Sequence, residues 1–166
     1  MRRYARQYDD SSCGPIAILN VIKWAGYRCT IKNDLKHIKK LCGYYENRPR
    51  GVCPDDLDRV LRLCGRRFKF EVRRLTVFKV KDIIKHLRNE GVVVVDYGYK
   101  KRKEVYIHNA ILVAVSEGDI FTGINFFRNK TISKLKIKKL KEYCRCYTLD
   151  GGVTYEYPVA WFLTKY

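Results

Sequence analysis

The stretch "RQYDDSSCGPIAILNVIKWAG", Arg6–Gly26, places a cysteine at the point where an apolar helix begins. Ile16, Leu19 and Ile22 fall on one helical stripe, Gly26 is a natural stop, and Pro15 suits the first helical position, where its missing N–H is not needed. Cys13 therefore sits among unpaired N–H groups and at the positive end of the helix dipole, both of which favour a thiolate. Gly14 removes a side chain beside the sulfur, so that another backbone can come close. The same "CGP" also reads as a plain helix start with a thiol packed beneath a loop.

Working outward, the first half of the chain is helical. "IKNDLKHIKKLCG" has Asn33 or Asp34 as a possible cap and an apolar face of Leu35, Ile38, Leu41 and Cys42. "CPDDLDRVLRLCG" starts at Pro54 and Asp55, carries Leu57, Val60, Leu61 and Cys64 on one face, and is predicted to end at Gly65. "RFKFEVRRL" then alternates through Phe68, Phe70 and Val72, as a strand does. "TVFKVKDIIKHLRNEG" predicts a helix closed by Gly91. "VVVVDYGY", "EVYIHNAILVAV" and "DIFTGINFF" predict three strands, the last two joined by a turn at Ser116-Glu117-Gly118-Asp119. "TISKLKIKKLKEYC" reads as a basic amphipathic helix with Ser133 near its start, and "GGVTYEYPVAWFLTKY" as a hairpin or closing strand. Helices first and sequential strands after give an α+β class, a mainly antiparallel sheet packed on N-terminal helices, in one domain over residues 1–166.

The chain carries 35 Lys and Arg against 17 Asp and Glu, a net charge of +18. Such a surface attracts acidic partners, whether nucleic acid, anionic lipid or acidic protein. The densest basic runs are "KKRK" at 100–103 and "KLKIKKLK" at 134–141. No apolar run approaches the ~18 residues of a bilayer span, and "MRRYARQYDD" has no apolar segment after its arginines. The expectation is a protein without a membrane span, made without export and working inside a cell, with a viral or phage source equally compatible. An odd count of seven cysteines in that setting argues against a disulfide framework. Cys144-Arg145-Cys146 is a single close pair with no second one, so zinc spacing is not met and no cofactor is expected. Six of the seven thiols read as reduced structural residues.

A nucleophilic Cys13 needs a base. His37 and His86 are flanked by lysines on helices and read as solvated, whereas His108 lies inside an apolar strand. Alternation puts His108 on a face with Ala110 and Ala114, which leave room, while Val105, Ile107, Ile111, Val113 and Val115 look like the core face. With a two-residue loop at Glu117-Gly118, Ala110 pairs with Asn125 and His108 with Phe127. Asn125 then becomes a diagonal neighbour of His108 on the same face, within side-chain reach. A three-residue loop would turn Asn125 away, and Asp96 is then the other candidate to orient the imidazole. Gln7, brought back by the loop before Cys13, and the Cys13 main-chain N–H are candidate oxyanion donors.

Gln7, five residues, Cys13-Gly14 opening a helix, His108 on a strand and Asn125 on the next resemble the papain-like cysteine peptidases. Within them the order is most similar to the bacteriocin-processing (double-glycine leader) peptidases and their stand-alone relatives. Gln7, Cys13, Gly14, Ala17 and Leu19 match the first motif, His108 in "HNAILVAV" the second and Asn125 in "GINFF" the third. The resemblance implies a papain-like fold and peptide-bond cleavage through a thioester at Cys13. His108 would be the general base, Asn125 its orienting partner and Gln7 an oxyanion donor. That family has Asp-Pro at the third position, where this chain has Asn125-Phe126, and an aromatic or apolar residue where this chain has Asn109. Protein or peptide would be the substrate. A nucleic-acid or polyanion binder on the same shell, and a thiol acyltransferase, are the alternatives that charge and chemistry leave open.

Overall fold

The computed structural model describes residues 4–9, 11–43, 52–101, 104–127, 130–143, 147–148, 154–155 and 159–166. Three helices come first: α1 (Cys13–Ala25), α2 (Ile31–Leu41) and α3 (Pro54–Phe68). They are followed by β1 (Phe70–Leu75), α4 (Val80–Arg88), β2 (Val92–Lys101), β3 (Glu104–Ser116), β4 (Ile120–Phe127), β5 (Lys130–Lys136) and α5 (Ile137–Tyr143). A two-residue pair, β6 (Tyr147–Thr148) and β7 (Thr154–Tyr155), precedes β8 (Val159–Lys165). The main sheet has the order β1-β8-β2-β3-β4-β5, antiparallel throughout. The predicted α+β class holds, and the C-terminal segment is a closing strand inserted between β1 and β2.

Both faces of this sheet are covered. Val92, Val94, Ile111, Ile124, Trp161 and Leu163 pack with α1, α2 and α3. Val93, Val95, Ala110, Leu112, Phe121 and Phe162 pack with Ile83 and Leu87 of α4 and Leu140 of α5. This explains the unbroken "VVVV": a central strand covered on both sides carries no polar alternation. It also corrects the expectation of a single core face on β3, since Ala110 and Leu112 are as buried as Ile111, while Ile107 is exposed.

Three boundaries move. Thr30, not Asn33 or Asp34, caps α2: its hydroxyl accepts from the Asn33 N–H at 3.2 Å, and its own N–H donates to Asp34 at 2.6 Å. Helix α3 runs through Gly65 to Phe68 and ends at Lys69 in the left-handed region. Gly65 is there for space, because a Cβ on it would lie 2.5 Å from the Phe70 carbonyl oxygen where β1 turns back along the helix. The basic segment predicted as one helix is divided between β5 and α5. Ser133 and Leu135 are buried while Ile132, Lys134 and Lys136 are exposed, a period of two that the lysine-rich composition masks. His86 also differs from its expected solvation: it is half-buried, with Nε2 3.0 Å from the Leu163 carbonyl, and burial depresses its pKa. His37 is exposed, as expected. Cys144, Arg145 and Cys146, and Arg102 and Lys103 of the first basic run, lie outside the described residues. Among the described residues no helix is long and apolar enough to cross a membrane.

Gly65→Ala is expected to destabilise the fold by about 1–3 kcal/mol through overpacking. That exceeds the helix-propensity gain of roughly 1 kcal/mol that alanine brings. Urea unfolding of the two proteins measures the difference.

Candidate active site

Helix α1 brings Cys13 to the sheet. It is buried along nearly its whole length, and Ser12 at its N-cap makes no side-chain bond to the first turn. The preceding loop is shaped instead by Asp9, whose Oδ1 accepts from the N–H groups of Ser11 (3.1 Å) and Ser12 (2.7 Å) and whose Oδ2 meets Lys39 of α2 at 3.3 Å. Ser12 thus leaves the N–H groups of Cys13 and Gly14 without a side-chain cap.

His108 and the main-chain N–H of Asn109, both on β3, act on this sulfur and favour its thiolate form. The Asn109 side-chain amide donates to Cys13 Sγ at 3.6 Å. Burial alone would push the Cys13 thiol up. The imidazole and the Asn109 donors outweigh it and bring the thiol from its ordinary 9.0 down to about 7. Burial would likewise depress His108, but the thiol and the Asn125 carbonyl raise it instead. The pair is therefore biased toward thiolate and imidazolium. The other described thiols go the opposite way: burial raises Cys53, pushes Cys29 and Cys64 up to about 11 and Cys42 to about 12.

The imidazole is held from behind. Its Nε2 lies 2.6 Å from the main-chain carbonyl of Asn125. The Tyr97 ring, opposite His108 in the β2–β3 register, meets it edge-on at 5.6 Å. Tyr97 is itself fixed, stacked on Phe126 at 4.6 Å with its hydroxyl donating to the Phe126 carbonyl. Two successive carbonyls thus serve His108 and Tyr97, an arrangement that a regular strand, whose carbonyls alternate between its edges, does not offer. It arises because Asn125 has φ +53°. Pairing of β4 with β5 breaks after Ile124, and the face alternation changes phase there: Phe126 joins Phe121 in the core instead of following Ile124. Gly123 makes room for this, since a Cβ on it would meet Phe126 Cβ at 3.0 Å. Asparagine tolerates the left-handed conformation better than most residues.

The Asn125 side chain is consequently not turned to His108. Its Oδ1 accepts from the Gln7 N–H at 3.2 Å and its Nδ2 donates to the Ala5 carbonyl at 2.8 Å. Asn20 of α1 clamps Ala5 from the other side, accepting from its N–H at 2.7 Å and donating to its carbonyl at 3.0 Å. Gln7 is buried, and its Nε2 donates to the Asp9 carbonyl at 2.6 Å. An amide nitrogen carries two hydrogens, so one remains for another acceptor. Asp96 is opposite Asn109, one residue out of step with His108, and on the face toward α1. It is no orienter of the imidazole.

The hairpin count behind the Asn125 expectation is wrong in one part and compensated in another. The loop has three residues, with Asp119 N–H bonded to the Ser116 carbonyl at 3.1 Å and Ser116 opposite Ile120. A register shift between Leu112 and Ala114 then restores the offset that a two-residue loop would produce, with Leu112 opposite Gly123 and Ile111 opposite Ile124. Asn109 was missed as a partner of the sulfur. Its signal was present: a polar amide in line with Ile107 and Ile111, on what read as the core face.

The fold has a counterpart among solved structures. The crystal structure of a "putative C39-like peptidase" from Bacillus anthracis superimposes with a TM-score of 0.62 at 11% identity, over 99% of this chain and 95% of that one. At that identity the likeness establishes the fold alone: N-terminal helices packed on an antiparallel sheet, as in that structure. No family model and no curated protein matches the sequence.

Two predictions follow from the geometry. Alkylation of Cys13 by iodoacetamide is expected to rise with pH through a midpoint near 7. At pH 7 its thiolate fraction should exceed that of Cys29, Cys42 and Cys64 on the order of 10³-fold or more; peptide mass mapping over time measures each site. Asn125→Gly keeps the left-handed backbone and the carbonyl but loses the clamp on Ala5 and Gln7. It should cost about 1–3 kcal/mol in denaturant stability and leave the Cys13 midpoint in place.

Proposed function

We propose that this chain is a cysteine peptidase. The observation that carries the reading is the Cys13–His108–Asn125 carbonyl arrangement, in which one thiol of the five described is pulled below its ordinary pKa while three others are pushed far above it. In the proposed reaction the Cys13 thiolate attacks a peptide carbonyl, and the proton on His108 passes to the leaving amine as the carbon–nitrogen bond breaks. Water deprotonated by His108 then hydrolyses the thioester and restores the free thiol. The Cys13 main-chain N–H and the second Nε2 hydrogen of Gln7 are the proposed donors to the tetrahedral oxyanion. Asn125 acts as a positioning residue through its carbonyl, in the place that a side-chain carboxylate or amide takes in the resembling families. The shared order of Gln7, Cys13, His108 and Asn125 supports kinship with the double-glycine leader peptidases. The +18 charge supports a peptide substrate or partner with acidic residues.

The test is incubation of wild type and Cys13→Ala with a proteome in H₂¹⁸O, followed by sequencing of new termini. New N-termini with ¹⁸O-labelled partner C-termini, found with wild type alone, are expected. Identical profiles overturn the peptidase reading, and new ends without ¹⁸O indicate acyl transfer. If an acidic substrate is steered by the basic surface, cleavage should slow as salt rises from about 50 to 300 mM.

A further inference from the structure

Close enough to Cys13 to feel its charge lies a buried carboxyl group that the proposed reaction does not use. Asp96 on β2 is directly opposite Asn109 on β3, and both share the sheet face toward α1. Side chains at opposed antiparallel positions are close enough to interact. Both are buried, and Asp96 Oδ1 and Asn109 Oδ1 each lack a hydrogen-bond partner. Two orphan acceptors on opposed residues are unfavourable in a dry interior, whereas one proton on the carboxyl can satisfy both. The amide end of Asn109 already points at the sulfur, 3.6 Å away.

We propose that Asp96 is a buried neutral acid that donates to Asn109 Oδ1 and thereby holds the Asn109 amide against the Cys13 thiolate. The inference rests on the reading of Cys13 as the nucleophile. Asp96 is a positioning residue, acting through Asn109. The arrangement keeps the sulfur as the only negative charge in this part of the core, because an ionised Asp96 would repel the thiolate and pull the amide around toward itself. The charged and titratable groups that bear on Asp96 are few. Burial foremost, and then Cys13 from α1, drives the carboxyl well above its ordinary pKa. Arg74 comes from β1 and opposes this; its Nη1 meets Asp55 at 2.6 Å, while its Nε is buried without a hydrogen-bond partner. The residue opposite from β8 is Val159 and that from β3 is Asn109, neither of which titrates.

The test compares the pH midpoint of Cys13 alkylation in wild type, Asp96→Asn, Asp96→Val, Asn109→Leu and Asp96→Val/Asn109→Leu, with circular dichroism to check folding. Asp96→Asn keeps a neutral donor and should leave the midpoint within about 0.3 units. Asp96→Val removes it and should raise the midpoint by about one unit, a roughly tenfold slower reaction at low pH. Asn109→Leu should raise it at least as much, and the double variant no further, as for groups acting in series. A lower midpoint in Asp96→Asn would mean that the carboxyl is ionised in the wild type and overturns the proposal. So does an unchanged midpoint in Asp96→Val beside a raised one in Asn109→Leu. If Asp96→Val does not fold, infrared spectroscopy decides: a protonated-carboxyl band at pH 7.5 that disappears in Asp96→Asn is expected, and its absence from wild type overturns the idea. All these readouts report the thiol and the carboxyl, so a wild type that cleaves nothing counts against the peptidase reading alone.

Discussion

The arrangement around Cys13 depends on one backbone conformation, that of Asn125 at φ +53°. A regular strand at this point would send the Asn125 and Phe126 carbonyls to opposite edges. The left-handed residue brings one to His108 and the other to Tyr97. It also frees the Asn125 side chain to hold the segment bearing Gln7. One residue thus links the base to the loop ahead of Cys13, by its main chain on one side and its amide on the other. The conformation is uncommon, and it persists because Gly123, the stacked Phe126 and the Ala5 clamp all require it.

The electrostatics of the thiol follow the same logic of competing terms. A fully buried sulfur should resist ionisation, as Cys42 and Cys64 do. Cys13 differs because its burial is lined with donors: the imidazole and both N–H groups of Asn109. Low dielectric penalises an unpaired charge but strengthens every hydrogen bond to a paired one. Position at a helix start made Cys13 a candidate; the β3 residues behind it separate it from the other buried thiols.

Much of the fold was legible in local pattern. The helix from Cys13 to the stop at Gly26, the stripe of α3, the buried "VVVV" strand and the presence of a hairpin turn within residues 116–119, though not its length, follow from periodicity and glycine placement. Where the reading failed, a local cue was outweighed by packing. Gly65 looked like a helix end, but its missing side chain serves the close passage of Phe70. The lysine-rich 131–143 segment looked helical throughout, yet its first half pairs along β4.

The sequence by itself determined the cast: a cysteine at a helix start, a histidine on an interior strand, an amide-bearing residue on the next strand, and the α+β order that brings strands to helices. These are consequences of short-range spacing, which the chain carries locally. Only the tertiary structure decided how the parts meet. The three-residue turn and the later bulge cancel in register, Asn125 offers its carbonyl rather than its side chain, and Asp96 and Asn109 come together near Cys13. None of these is local. Each depends on the register of β3 against β2 and β4 and on which face remains free once both sides of the sheet are covered.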